Sequence, residues 1–187
     1  MKGTSDNSET QQEASEPPVE ELTEAEKREK VIALVFGGRH DQYDEFCERV
    51  RRAIPPGTGV VLRGSAVTGQ RWRDGAPFDA DGPGTSDLDL TLVGNEVIGL
   101  FKVTGFFVPG VHSRPLSEED PDIAPDLVPL RRELMDMVKR PVNIQATRDF
   151  VMFLRGNELG QPFLTLIEKP EASTAPDKDA TPSSNDE

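Results

Sequence analysis

The chain has 187 residues, a formal net charge of −13 and 35% hydrophobic residues, a length suited to one domain with a composition lean for a globular protein. Acidity makes it a poor general binder of nucleic acid, so long polynucleotide substrates are disfavoured, and a lone cysteine, Cys47, allows neither an intrachain disulfide framework nor a multi-cysteine zinc site. With no apolar run of membrane-spanning length and no basic or apolar leader at the N-terminus, a cytoplasmic location without membrane contact is expected.

The charge is unevenly spread. Residues 1–22 are rich in Ser, Glu, Gln and Thr, and residues 170–187 in Pro, Ala, Ser, Thr and Asp, so both read as disordered acidic tails around a domain at 23–169. Between residues 28 and 169, 18 Lys and Arg face 21 Asp and Glu, a net −3, which leaves room for a local basic patch. Thr23 with Glu26 three residues on forms a capping box, and the helix it opens should run through Phe36 to a break at Gly37-Gly38. A second helix fits His40 to Ile54, with Tyr43, Phe46, Cys47, Val50 and Ile54 on one face and Arg49, Arg51 and Arg52 on others. Cys47 on that apolar stripe reads as a buried thiol.

Val60 to Leu62 is strand-like and delivers Gly64-Ser65, with a short helix expected from Ala66 to Gln70. An excursion to Thr85 follows, carrying Arg71, Trp72 and Arg73 and several aspartates; these lack the regular spacing and terminal glutamate of a calcium loop. The two arginines suit phosphate and Trp72 suits base stacking, although a surface loop with Trp72 tucked onto the core fits equally. A second strand begins at Asp87-Leu88-Asp89-Leu90. Farther on, Val103 to Val108 reads as a strand, the preceding VIGLF as helix or strand, and Val111 to Pro125 as a proline-rich acidic connection. Leu127 to Val138 is spaced as a helix, Val142 to Ala146 as a strand, and Thr147 as the cap of a helix from Arg148 to Arg155 stopped by Gly156-Asn157. PFLTLI, within Gln161 to Glu168, is a last strand or a short helix. The whole is an α/β (α+β) domain, a small mixed sheet flanked by helices.

Alternation on the second strand puts Asp87 and Asp89 side by side, opposite Leu88, Leu90 and Leu92. Taken alone, such an Asp-x-Asp also fits a solvated strand edge; the Gly-Ser strand before it is the discriminating context. Two adjacent carboxylates repel unless a positive group lies between them, and two carboxylates plus substrate phosphates commonly hold Mg²⁺. Gly64 lets the backbone approach a phosphate, and Ser65 can cap or donate at a helix start that favours anions.

This order of strand, Gly64-Ser65, and strand with Asp87-x-Asp89 resembles the nucleotidyltransferase superfamily, the DNA polymerase beta-like fold. The resemblance implies transfer of a nucleoside monophosphate from a nucleoside triphosphate to an acceptor (a small molecule, a protein or an RNA) with release of pyrophosphate. It makes Asp87 and Asp89 the Mg²⁺ ligands and catalytic acids, and Gly64 and Ser65 the seat of the phosphates, with Arg63, Arg71 and Arg73 as further nucleotide contacts. The family's third carboxylate should fall on the Val142–Ala146 strand. Asn143 and Gln145 stand there instead, so Asn143 is the candidate third metal ligand, without the charge of an acid. That departure keeps open a non-catalytic nucleotide-binding or protein-interaction module on the same fold, and an adaptor acting through its acidic tails.

Overall fold

Thr23 opens the first helix through reciprocal capping. Its hydroxyl accepts from the Glu26 N–H at 3.3 Å while the Glu26 carboxylate accepts from the Thr23 N–H at 2.8 Å, satisfying amides that a first turn leaves without helical partners. Helix α1 (Glu24–Phe36) ends at Gly37, whose φ of +61° gives a left-handed cap. Helix α2 (His40–Ala53) buries Tyr43, Phe46, Cys47 and Val50, while Arg49, Arg51 and Arg52 pair with Glu45, Glu133 and Glu48 on the outside. Burial pushes the Cys47 thiol pKa up, the opposite of an activated nucleophile.

The computed structural model describes residues 22–71, 73–153 and 160–170. The expected tail disorder, all but its innermost residues, the stacking role of Trp72 and the Gly156-Asn157 stop lie outside them.

Six strands follow in chain order: β1 (Gly59–Arg63), β2 (Leu88–Val93), β3 (Phe106–Val108), β4 (His112–Ser113), β5 (Val142–Thr147) and β6 (Phe163–Ile167). They form one mixed sheet in the order β3-β4-β5-β2-β1-β6, in which β2 and β5 are parallel and the other neighbours antiparallel. Between them lie α3 (Ser65–Thr68), α4 (Asn95–Ile98), α5 (Val128–Val138) and α6 (Asp149–Phe153). The two-residue period gives the sheet two chemistries. Val60 and Leu62 of β1, Leu88, Leu90 and Leu92 of β2, and Val142, Ile144 and Ala146 of β5 join one core with Ile32 and Phe36 of α1, Phe46 and Val50 of α2, and Leu130 and Leu134 of α5. Each fully buried Leu or Ile there contributes about 1.5–3 kcal/mol relative to exposure. The alternate positions, Arg63, Asp89, Thr91, Asn143 and Gln145, share the opposite face.

Several expectations are corrected. The second strand starts at Leu88, after Asp87, and the short helix is Ser65–Thr68, not Ala66–Gln70, because Gly69 caps it in a left-handed conformation. Only Phe106–Val108 of the 103–108 stretch is strand, because Val103–Gly105 form a 3₁₀ turn in which Gly105 lies so close to Ile123 that a Cβ would sit 2.9 Å from its side chain. The 111–125 connection contributes β4 and a bridge from Leu116 to Ile144, and Leu116 is fully buried. Thr147 does not cap a helix; it extends β5, its hydroxyl donating to the Val111 carbonyl at 3.4 Å, and α6 starts two residues later. Where alternatives stood open, only Val97 and Ile98 of VIGLF are helical, as the end of α4, the rest forming a turn, and Phe163–Ile167 is a strand. No helix among the described residues is long and apolar enough to cross a membrane.

Candidate functional site

Register brings the polar residues together. Asp89 pairs with Arg63 on the antiparallel β1 and with Asn143 on the parallel β5, so three side chains from three strands stand abreast. Asp87 lies one residue before β2 and is exposed. The Asn143 amide joins the pair, Nδ2 donating to Asp87 Oδ2 at 2.6 Å and to Asp89 Oδ1 at 3.1 Å. Burial raises the Asp89 carboxyl above the usual carboxylate range and the Asp87 charge adds to this, against the Asn143 hydrogen bond and the Arg63 charge.

Gly64 follows β1 with φ +81° and ψ −160°, a conformation essentially restricted to glycine. A Cβ there would stand 3.0 Å from Asp89 Oδ2, so a side chain at this position would crowd the carboxylate. Ser65 is the first residue of α3, a single turn closed by Val67 and Thr68 N–H bonds to the Gly64 carbonyl. Beside this turn a cavity of about 200 Å³ is lined by Arg63, Gly64, Thr68, Gln70, Asp89, and Gln161 and Pro162 ahead of β6. That volume is below the roughly 300–1,000 Å³ of clefts that enclose a whole ligand, so it suits part of one. Asp89 belongs to both the cavity wall and the carboxylate cluster.

The arginines are placed unequally. Arg63 lies across the sheet face, donating to Thr91 Oγ1 at 2.9 Å and Gln145 Oε1 at 2.6 Å, which makes it a fixed positive charge near Asp89. Arg71 pairs with Asp81 at 2.8 Å and Asp74 at 3.4 Å, and Arg73, 81% exposed, lies 3.6 Å from Asp74. Both are tied within the excursion, outside the cavity lining.

No protein-family model, curated protein or solved structure matches the chain.

The donor set can be tested against a cation directly. Among the described residues no three His, Cys, Asp or Glu cluster as ligands, so a metal at this site would have two carboxylates and an amide. The one nitrogen bridging both carboxylates is the positive end of an amide dipole, in the place where two negative charges call for a positive group. The all-oxygen set of Asp87, Asp89 and, after rotation of its amide, Asn143 Oδ1 fits Mg²⁺ chemistry.

Sequence reasoning missed Asp79 and Arg140. The Arg140 guanidinium meets Asp79 bidentately, at 2.9 and 3.1 Å, and stacks 4.5 Å from the centre of the Phe78 ring. Burial tends to raise the Asp79 carboxyl, but Arg140 and the Gly84 and Ser86 N–H groups outweigh it and hold the carboxyl at about 2. The surviving signal was weak: an aspartate in a Gly/Pro-rich loop, with its cation 61 residues away.

Proposed function

We propose that the chain is a metal-dependent nucleotidyltransferase on a nucleotidyltransferase-like fold, moving a nucleoside monophosphate from a nucleoside triphosphate to a small-molecule, protein or RNA acceptor. The carrying observation is the convergence of Asp87, Asp89 and Asn143 within hydrogen-bond distance, beside a glycine turn that leaves no free room for a Cβ next to Asp89. Asp87 and Asp89, with Asn143 as third oxygen donor, would hold Mg²⁺. When bound, the ion supplies positive charge to the phosphates and to the pyrophosphate leaving group.

The chain's own groups do the rest. Gly64 and Ser65 offer close backbone approach to phosphate oxygens, with no Cβ at Gly64 to block it. Arg63, held by Thr91 and Gln145, favours the ionised form of Asp89 and so its readiness to bind a cation. Asn143 cannot take a proton from the acceptor hydroxyl, which leaves the Asp87 and Asp89 carboxylates as the basic groups at hand. A second reading, a nucleotide-binding module without catalysis, is favoured by the same amide at the position facing Asp89.

Incubation with Mg²⁺ and a nucleoside triphosphate labelled at the α-phosphate tests the proposal. Label transferred to an acceptor with release of pyrophosphate, lost in Asp89→Asn, supports the enzyme. Mg²⁺-dependent binding without transfer supports the module, and no Mg²⁺-dependent binding removes both.

A further inference from the structure

The excursion from Gln70 to Ser86 folds back on itself through a Gln70–Pro77 bridge and the Phe78 N–H bond to Gly69, and Asp79 ties its far end to the run into β5. Asp79 has φ +58°, a left-handed conformation uncommon outside glycine. Its two oxygens accept from both Arg140 terminal nitrogens, from the Gly84 N–H at 3.0 Å and from the Ser86 N–H at 2.9 Å, while its own N–H donates to Ser86 Oγ at 2.8 Å. Arg140 also donates to the Ser86 carbonyl at 3.1 Å. The Arg140 side chain is 7% exposed and that of Asp79 20%, so this is a shielded ion pair with its lone pairs used. Nearby, Gly84 presses on the Lys139 carbonyl, where a Cβ would stand 2.9 Å away, and the Leu88 N–H donates to the Pro141 carbonyl at 2.9 Å.

These bonds join two chain segments whose next residues form the site. Ser86 immediately precedes Asp87, and Arg140 precedes Asn143 by three residues on the run into β5. Asp87 lies outside β2, and its two flanking peptides are tied to the β5 side by the Leu88 N–H bond to the Pro141 carbonyl and by the Arg140 bond to the Ser86 carbonyl. Its carboxylate meets the Asn143 amide at 2.6 Å. We infer that the Asp79–Arg140 clasp is a positioning device for the proposed metal site, locking the Ser86–Asp87 segment against the start of β5 so that Asp87 converges on Asn143 and Asp89. Asp79 and Arg140 are positioning residues, without contact to Asp87 or Asp89 themselves. The clasp turns the long excursion from a detour into the arm that presents one carboxylate.

The inference rests on the metal reading of Asp87 and Asp89 for its purpose, and its test separates the two. Arg140→Lys keeps the charge but removes the fork, and Asp79→Asn combined with Arg140→Gln removes both charges without leaving either buried alone. The Asn143 side-chain amide, followed by NMR, reads the geometry directly, with Asp87→Ala, which removes the acceptor, as the reference for a lost contact. Mn²⁺ titration of the same proteins reads metal binding. Val50→Ala, in the core away from the site, is the control for general destabilisation.

In the clasp variants the Asn143 amide signal moves toward its Asp87→Ala position, Gly84 and Ser86 amide exchange quickens tenfold or more, and Mn²⁺ affinity falls tenfold or more. Val50→Ala leaves the Asn143 signal in place. A folded clasp variant whose Asn143 signal stays at the wild-type position overturns the positioning role whatever Mn²⁺ does. If Arg140→Lys fails to fold, the double variant decides by the same signal. If wild-type protein binds no Mn²⁺, the metal reading falls, and the Asn143 signal still decides whether the clasp sets Asp87.

Discussion

Replacing Asn143 with aspartate converts a hydrogen-bond donor into a third negative charge at a position that now bonds Asp87 at 2.6 Å and Asp89 at 3.1 Å. Two hydrogen bonds to charged acceptors are lost, each worth about 1.5–3 kcal/mol. Like charges at about 4 Å in a surface-type effective dielectric add roughly 4 kcal/mol per pair, relieved in part by side-chain rotation and by protonation of one carboxyl. With the repulsion relieved by rotation and protonation, the two lost hydrogen bonds alone set the loss without metal at no less than about 3 kcal/mol, or roughly 6–12 °C in the thermal midpoint of a chain this long. Mg²⁺ at a hundred times its dissociation constant restores about 2.7 kcal/mol. Asn143→Asp should therefore melt well below wild type in chelator and recover most of the difference in Mg²⁺. Turnover of a nucleoside triphosphate, followed by pyrophosphate release, should rise by about a hundredfold if the new carboxylate serves as a base. Equal melting in chelator and in Mg²⁺, with turnover unchanged, would refute the idea that Asn143 faces a cation site.

Gly64→Ala places a Cβ 3.0 Å from Asp89 Oδ2 in a backbone conformation that suits only glycine, so it should cost about 1–3 kcal/mol in denaturant melts and weaken Mn²⁺ binding. Asp79 supplies a pH dependence. Its carboxyl is lowered from an ordinary 3.8 to about 2, so its stabilisation, about 2 kcal/mol, is present above pH 4 and lost as pH falls from about 4 to 2. In Asp79→Asn, acid titration of thermal stability should be shallower over that window, and an unchanged slope would count against the ion pair. Leu134→Ala, at a fully buried core position, should cost about 2–5 kcal/mol by chemical denaturation while sparing the Asn143–Asp87 contact.

The elements governed by local chemistry were legible in the sequence. The Thr23–Glu26 box and the α2 stripe depend on residues within one or two turns and formed as read, and the alternation of β2 holds from Leu88 onward, with Asp87 one residue before the strand. The place of Asn143 followed from element order, because a strand after α5 that lies parallel beside β2 brings its second residue level with Asp89. What escaped depends on distant partners. β4 is two residues long and exists because the Thr147 end of β5 offers it an edge, while Val103–Gly105 turn because Ile123 packs against Gly105. The sequence offers Arg71 and Arg73 as phosphate contacts as readily as Arg63, yet only Arg63 lies on a strand facing Asp89 and the other two meet loop aspartates. The Arg140–Asp79 pair is invisible to any periodicity, since it closes a loop of 61 residues.

Calorimetric titration with a non-hydrolysable ATP analogue reads whether Asp87 and Asp89 hold a divalent cation that in turn holds a nucleotide, as proposed above. Wild-type protein should bind the analogue in Mg²⁺ and lose that binding in chelator, and Asp87→Asn and Asp89→Asn should each abolish the Mg²⁺-dependent part while melting no lower than wild type, because the repulsion between the carboxylates is relieved. Analogue affinity that is the same in Mg²⁺ and in chelator, or Mg²⁺-dependent affinity that survives in both variants, would mean that these two aspartates hold no nucleotide-bound cation.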